Sequence, residues 1–570
     1  MLRNNRNIFW IFLAFWLILN LLQAYLTGLF NDEAYYYFYS LDLDWGYYDH
    51  PPIIALFIRM GYALFHNESG VRLFYVILSS GTIFLLFKLS DVKKELLFCV
   101  LAFSFMIFQI TGFLALPDSP LIFFTALFFL IYKKYSETYS TRYAIMLGVV
   151  MAAMFYSKYL GIFVVVFTVI SNLRLLLKKS FWLAVVVTTC LFIPHLVWQY
   201  QHDFPSFYYH LLERSHDEIF RWKNFGEYLL GQAGMVNPIL FIPVIYFFII
   251  FKPAGAYEKA LKFTAAGSLL LPFLMMIKGR VEANWTMAGL VPLFLITYRL
   301  LESRPKMHRL SYVTGLVTLA IVLAVRILLV YNYLPEKYSR MIRLDIQGWK
   351  PFSEKLADMA ENRPVIFIGS YQGPSHYIFH TGKEAFAFND YLYRNNQFDL
   401  EGIEQKLQGR EVMLIFPRKS LTEEDILQNK ALLSDSIQVP SGKYKFCFYE
   451  KNYRSYNYLP VEIPLVDHTF KVGEEVEIPI ILKNPEQEPV DFSLAQPSKV
   501  FLCSYLFQYG KPLVYNYFED ISSLILKDEY KTSCKMKMPE KPGVYYIKIS
   551  VKKGWMPAGL NSRLVKVKVE

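Results

Sequence analysis

The sequence predicts a polytopic α-helical membrane protein of about eleven spans, followed by a small α/β unit and a β-sandwich-like domain. Three observations carry this reading. Of 570 residues, 54% are hydrophobic, 18% aromatic and only 19% charged, whereas soluble chains average about 25% charged residues. Nearly all the long uncharged runs lie between residues 8 and 333. Beyond them the pattern changes, first to alternating strand and helix signals and then to strand after strand.

A spanning helix needs roughly 20 mostly apolar residues. Eleven stretches qualify within a membrane domain of residues 1–334: 8–30, 70–88, 95–115, 117–132, 142–156, 159–173, 181–198, 235–251, 262–277, 284–299 and 311–333. The first has no small-residue cleavage site after it and is too long for a signal h-region, so a retained helix is expected. Lys and Arg concentrate in alternate loops, among them Lys88, Lys93 and Lys94, then Lys133 and Lys134, then Arg299, Arg304 and Lys306. Those loops are expected in the cytoplasm. The intervening loops hold Asp32, Glu33, Asp44, Asp49, Asp118 and Glu282 and are expected outside, and an odd span count carries the C-terminal parts outside too. The formal net charge of +11 then reflects cytoplasmic anchoring and a Lys-rich tail. No basic patch points to nucleic acid.

The first outer loop, 31–69, contains "PPIIALFIRMGYALF". Ile53, Leu56, Phe57, Met60 and Leu64 fall on one helical face with Arg59 and His66 opposite, which predicts an amphipathic helix in the outer interface. Residues 345–450, with "RPVIFIGSY", "EAFAFND" and "REVMLIFP", predict a small extracytoplasmic α/β unit. Residues 455–570, with "FKVGEEVEIPIIL" and "GVYYIKISVKKG", predict an extracytoplasmic β-sandwich. Neither carries a Gly-rich phosphate loop, a Ser-His-Asp order or a metal-spaced cluster, so acceptor docking or stability is their expected role. The five cysteines show no CxxC; outside the cell, Cys503 and Cys534 either form a disulfide or stay free.

Several polar residues gather at the expected outer face. "FNDEAYY" puts Asp32 and Glu33 where the first span ends, and carboxylates there are either a hydrated helix exit or members of a site. "ALPDSPLIFF" puts Asp118 at a helix start, where it caps free N–H groups or serves a site. "YSKYLGIF" and "KGRVEANW" add Lys158, Lys278, Arg280, Glu282 and Trp285. Each cation there is either a snorkelling anchor or a ligand for an anion.

Seven motifs in order, "NDEAYY", "YYDHPPIIALF", "GVRLF", "LPDSPLIFF", "SKYLGIF", "PHLVWQYQHDFPSF" and "KGRVEANW", resemble the C-type (GT-C) membrane glycosyltransferases. Within that class the sequence is similar to protein O-mannosyltransferases and bacterial lipid A aminoarabinose transferases. The resemblance covers residues 1 to about 333. It implies a hexosyl or pentosyl transferase that moves a sugar, with inversion, from a polyprenyl-phosphate donor to lipid A, another glycan or an exported protein. The reaction would take place at the outer face of the bacterial cytoplasmic membrane and require no cofactor. A transporter or flippase of a lipid-linked glycan is the alternative, although the charges gather at one face and neither half of the sequence matches the other.

Such a transfer needs a base at the acceptor hydroxyl, cations on the leaving phosphate and a groove for the prenyl chain. Asp32 matches the family's catalytic acid residue and is assigned as base, with Glu33 supporting it and Asp118 as a further carboxylate. Lys158, Arg280, Arg214 and Lys278 are assigned to the donor phosphate, and Arg72 to interface anchoring or to that phosphate. Tyr35, Tyr36, Tyr48, His50, Glu282 and Trp285 would line the substrate site, while His195 and Trp198 either line the lipid groove or pack in the core. His50 stands where aminoarabinose transferases usually have Lys, which makes its charge depend on pH. Asp49 and His210 either bind a divalent metal such as zinc or share a structural hydrogen bond.

Overall fold

The apolar stretches of the first 330 residues fold into helices. In chain order these are α1 (Asn7–Leu26), α2 (Asn31–Leu41), α3 (Ile53–Tyr62), α4 (Glu68–Leu89), α5 (Glu95–Ser104), α6 (Met106–Ile110), α7 (Asp118–Thr138) and α8 (Thr141–Ser157). They continue with α9 (Gly161–Ser171), α10 (Lys179–Gln201), α11 (Pro205–Leu211), α12 (Trp222–Val236), α13 (Phe241–Ile250), α14 (Ala256–Met275), α15 (Met287–Glu302) and α16 (Pro305–Val330). The computed structural model describes residues 7–211, 222–276, 281–331, 333, 346–417, 433–440, 443–508 and 511–570. Two units divide the chain: Met1–His210 with Glu218–Ile342, and Leu211–Asp217 with Arg343–Glu570.

Among the described residues, α1, α4, α10 and α16 are long and apolar enough to cross a membrane alone. The chain is a multi-pass membrane protein. The other expected spans form helices that are shorter, broken or less apolar, and two of them depart from the single helix expected. Residues 95–115 split at Phe105, whose ψ of 104° is extended, into α5 and α6. Residues 235–251 belong to a pair, α12 and α13, bent by 90°. Pro238 follows Asn237 at that bend; proline has no N–H to give and drives the preceding residue out of the helical region.

In an apolar medium the backbone groups freed by such breaks need partners. The Asn237 side chain donates through Nδ2 to the Ser104 carbonyl at 3.0 Å and to Thr318 Oγ1 at 2.8 Å, and its Oδ1 accepts from Ile239 N at 3.0 Å. Gln109 Nε2 donates to the Phe103 carbonyl at 2.9 Å. Side-chain amides thus occupy carbonyls that an unbroken helix would have bonded.

The amphipathic helix expected within 31–69 forms as α3. It turns Ile54, Ala55, Ile58 and Gly61 inward and leaves Leu56, Arg59 and Met60 exposed. Arg59 thus shares the exposed face with Leu56 and Met60 instead of standing opposite them as expected, because the buried face is the one carrying Ile54, Ala55 and Ile58.

The second unit begins with α17 (Trp349–Ala360), β1 (Val365–Ile368), α18 (Gln372–Thr381), β2 (Ala385–Phe388), α19 (Gln397–Leu400), α20 (Ile403–Leu407), β3 (Val412–Pro417), β4 (Leu433–Gln438) and β5 (Tyr444–Glu450). Its sheet has the order β2-β1-β3-β5-β4, with β1 parallel to β2 and β3, and β5 antiparallel to β3. Every residue of β1 and β2 is buried, as expected of parallel strands covered on both faces.

Ten more strands follow: β6 (Val461–Glu462), β7 (Thr469–Phe470), β8 (Glu475–Lys483), β9 (Val490–Asp491), β10 (Val500–Gln508), β11 (Lys511–Asp520), β12 (Ile525–Leu526), β13 (Glu529–Lys537), β14 (Gly543–Lys553) and β15 (Val565–Val569). They make sheets of order β11-β10-β14-β15-β7 and β13-β8-β6, with β9 and β12 pairing apart. Ile478, Ile480 and Leu482 of β8 join Leu502, Ile547 and Ile549 in one core. All five cysteines are free; Cys503 lies on β10 and Cys534 on β13, in different sheets, so the disulfide is not formed.

Glu404 of α20 is buried and accepts the Asn457 amide at 2.8 Å. Burial outweighs that bond and pushes its carboxyl from 4.5 up to about 7. The native state therefore holds this proton in a window where the unfolded chain has released it, so the contribution to stability is full below pH 4.5 and is lost as pH rises through about 7. Melting curves of the full chain in detergent from pH 4.5 to 8 should flatten in Glu404→Gln. An unchanged slope would reject this assignment.

Candidate active site

The first span ends in a run of carbonyls that needs donors, and Arg72 of α4 supplies them. Its guanidinium donates to Ala24 O at 3.2 Å, Thr27 O at 2.5 Å and Gly28 O at 2.8 Å. It also grips both oxygens of Glu33, Nε to Oε1 at 2.8 Å and Nη2 to Oε2 at 2.5 Å, with both side chains fully buried. Glu33 Oε2 accepts Phe30 N at 3.0 Å across the first turn of α2, and Oε1 accepts Ala115 N at 2.8 Å. A single buried carboxylate thus fixes the exit of α1, the start of α2, α4 and the loop ahead of α7. Arg72 is accordingly no interface anchor: it is the buried partner of Glu33. Asp32, one residue before Glu33, is exposed.

Asp118 opens α7 between Pro117 and Pro120, where proline costs no helical hydrogen bond. Its Oδ1 accepts from Lys158 Nζ at 2.6 Å, and both side chains are nearly buried. Lys158 sits where α8 ends, at the turn into α9. The structure gives both residues a structural task beside their assigned roles, since the ammonium is already neutralised.

Next in sequence, α2 is buried on nearly all sides: Tyr35, Tyr36, Tyr37, Phe38 and Tyr39 are all at most 9% exposed. These rings pack inward, and that burial makes the helix a rigid support. Tyr39 stacks on Tyr47 at 4.4 Å and donates to Asp49 Oδ1 at 2.5 Å. Tyr36 meets His50 edge-on at 5.3 Å, and Tyr48 is buried beside Tyr209.

The loop 42–50 is pinned from α10 and α11. On α10, Trp198 Nε1 donates to Asp44 Oδ2 at 2.6 Å, and His195 Nδ1 lies 2.6 Å from Trp45 O. Tyr159 Oη lies 3.0 Å from His195 Nε2, and Gln199 Nε2 donates to Tyr159 Oη at 3.1 Å and Ser206 Oγ at 2.8 Å. On α11, Ser206 Oγ donates to Tyr47 O at 3.0 Å and His210 Nε2 lies 3.0 Å from Asp49 O. Of the two readings for His195 and Trp198, packing describes what they do in the fold. Gly46 passes so close to Trp198 that a Cβ would come within 2.3 Å of the ring. Gly46→Ala should cost about 1–3 kcal/mol of stability and open the loop to limited proteolysis; unchanged cleavage would count against the pinned loop.

His210 meets the backbone oxygen of Asp49, so the pair shares a hydrogen bond. Among the described residues no three His, Cys, Asp or Glu side chains gather to hold a metal ion. Glu282 and Trp285 lie on the turn before α15, braced on α12 where Thr286 Oγ1 donates to Gln232 Oε1 at 2.7 Å. Arg214, Lys278 and Arg280 lie outside the described residues.

Sequence reasoning missed Arg326. Buried in α16, it donates through Nη2 to Asn20 Oδ1 at 2.8 Å and Gln109 Oε1 at 3.1 Å, and it faces the Phe113 ring at 5.3 Å, the ring Arg72 faces at 5.5 Å. A charge inside an apolar span was the available signal, because such a group must find polar partners in the bundle. Gln199 was equally legible: it stands one turn after His195 on the same face.

A family model described as dolichyl-phosphate-mannose-protein mannosyltransferase matches residues 49–198. Over 329 residues the chain is 28% identical to the lipid A galacturonosyltransferase RgtD of Rhizobium johnstonii, covering 52% of this chain and 66% of that protein. Crystal structures of ArnT from Cupriavidus metallidurans, one in the apo state and one bound to undecaprenyl phosphate, superpose with a TM-score of 0.54 at 13% and 12% identity. Each covers 77% of this chain and 97% of the other. The chain has the C-type glycosyltransferase fold.

Within the C-type fold of this chain, Asp32 stands on α2 beside buried carboxylates. Of the carboxylates Asp32, Glu33, Asp49 and Asp118, Asp32 alone is exposed. Glu33 accepts from Arg72, Asp49 from Tyr39 and Asp118 from Lys158.

Proposed function

We propose that this chain transfers a sugar from a polyprenyl-phosphate donor to a surface acceptor at the outer face of the bacterial cytoplasmic membrane. The observation that carries the reading is the exposed Asp32 beside a fully buried Glu33–Arg72 pair. A base must reach the acceptor hydroxyl, and it works best on a backbone that does not yield. Asp32 takes the hydroxyl proton as the acceptor oxygen bonds to the anomeric carbon. The carbon–oxygen bond to phosphate breaks on the opposite side, which inverts the centre. Glu33 positions Asp32, and Asp118 with Lys158 holds the neighbouring helix starts.

Arg280, Arg214 and Lys278 are proposed for the leaving phosphate, with Lys158 joining them where the phosphate competes with Asp118 for its ammonium. Likeness to a lipid A galacturonosyltransferase and to a structure bound to undecaprenyl phosphate supports the donor class and favours a lipid or glycan acceptor over a protein. The C-terminal parts are proposed to lie outside the cytoplasm.

Mass spectrometry of lipid A, other glycolipids and exported proteins tests this. Cells lacking the protein should lose a sugar-sized mass from one fraction, restored by the wild type and not by Asp32→Asn. If no fraction changes, sugar transfer is rejected. Metal content after dialysis tests the Asp49–His210 pair separately: stoichiometric zinc would add a ligand role, and none would leave the pair a loop pin.

A further inference from the structure

The order β2-β1-β3 has a consequence at one end of the sheet. From β1 the chain crosses to β2 on one side and then to β3 on the other, so the connections part company above β1 and β3. In open α/β sheets that divergence leaves a crevice outside the carboxyl ends of the strands, and ligands bind there. A cavity of about 330 Å³ lies there, lined by Gly369 and Ser370 after β1, Asp390 and Tyr393 after β2, Pro417 at the end of β3 and Lys445 of β5. That is the small end of the roughly 300–1,000 Å³ range of ligand pockets. Gly369, at a φ of +113°, has open space where a Cβ would stand.

The crevice offers both signs of charge. Lys445 reaches it because its register partner on β3 is Pro417, the last residue of that strand. Among the described residues no carboxylate pairs with its ammonium, which lies 5.6 Å from the centre of the Phe367 ring. Burial pushes that ammonium down to about 8, a penalty that a bound anion would offset. Across the cavity Asp390 Oδ1 accepts Leu392 N at 3.0 Å. The loop carrying it is stiff: Asn389 is bonded to Asp399, Asn396 and Asn457, Tyr391 N donates to Ala558 O, and the Tyr391 ring stacks on Tyr505 at 4.0 Å.

A lysine across the cavity from a carboxylate held by its own loop, with Ser370 and Tyr393 also in the lining, is chemistry for a ligand with an anionic group at one end and hydroxyls at the other. We propose that this crevice is a non-catalytic binding site for a single sugar ring bearing a carboxylate or phosphate, with Lys445 on the anion and Asp390 on the ring hydroxyls.

Saturation-transfer NMR on the full chain in detergent, with glucuronic acid, glucose 6-phosphate, glucose and inorganic phosphate as probes, tests it without needing transfer activity. One or both acidic sugars should bind saturably, at least about tenfold tighter than glucose, and inorganic phosphate should not displace them. Whichever acidic sugar is preferred identifies the anion. Lys445→Met should reduce acidic sugars to the level of glucose, Lys445→Arg should retain the preference, and Asp390→Asn should weaken all three sugars. Asp32→Asn should bind as the wild type does. No saturable binding, equal binding of glucose and the acidic sugars, displacement by inorganic phosphate, or loss of signal in Asp32→Asn would each overturn the proposal. Should Lys445→Met fail to fold by its melting temperature, the wild-type probe comparison and Lys445→Arg still decide.

Discussion

Arg72→Met should destabilise the membrane unit by about 3–5 kcal/mol, the usual cost of removing one partner of a buried ion pair. The loss is compound. Glu33 would be left charged at zero exposure, and the carbonyls of Ala24, Thr27 and Gly28 would lose the donor that closes the end of α1. The double change Arg72→Met with Glu33→Leu removes the stranded charge as well, so its cost should fall well below the sum of the single changes. Thermal unfolding in detergent of the wild type, both single variants and the double variant measures this coupling. Strict additivity would mean that the two groups act independently, and the frame around Asp32 would lose its keystone.

Asp32→Asn should act in the opposite manner, leaving the melting temperature unchanged and lowering turnover by about 10²–10⁴-fold, the range a positioned general base supplies. The side chain is exposed, so little packing is lost, and the amide cannot take up the acceptor's proton. Because the change acts in the transition state, turnover should fall while the acceptor KM stays within a few-fold. Asp32→Glu should retain part of the activity at a displaced carboxylate. Full activity in Asp32→Asn would transfer the base role elsewhere, and a matching fall in melting temperature would recast Asp32 as a structural residue.

The membrane helices were legible because hydropathy reports burial in lipid directly, and the strand-rich tail because its residues alternate. Breaks were not. Nothing in the apolar composition of 95–115 marks the turn at Phe105, whereas the Asn-Pro pair at 237–238 did carry a signal that hydropathy overrides. At the site, Asp32 and Glu33 stood out as charges at a span exit, but exposure separates their roles and adjacent sequence positions do not reveal exposure. The tyrosines of α2 read as substrate-lining from the sequence, and their burial came from neighbouring elements that the sequence pattern does not place beside them. His195 and Trp198 were visible as polar groups near a span end, while their partners, Trp45 and Asp44, lie some 150 positions away.

The two helix interruptions are mated. The carbonyl that α5 releases at Ser104 is taken by the asparagine at the bend between α12 and α13, and that same amide reaches Thr318 on α16. Neither fault can be repaired alone: a substitution that straightened one helix would orphan a polar group inside the other. Segments more than 130 positions apart are thereby bound to a common fate. Grafting either one from a relative with straight helices would import a mismatch unless its counterpart came with it.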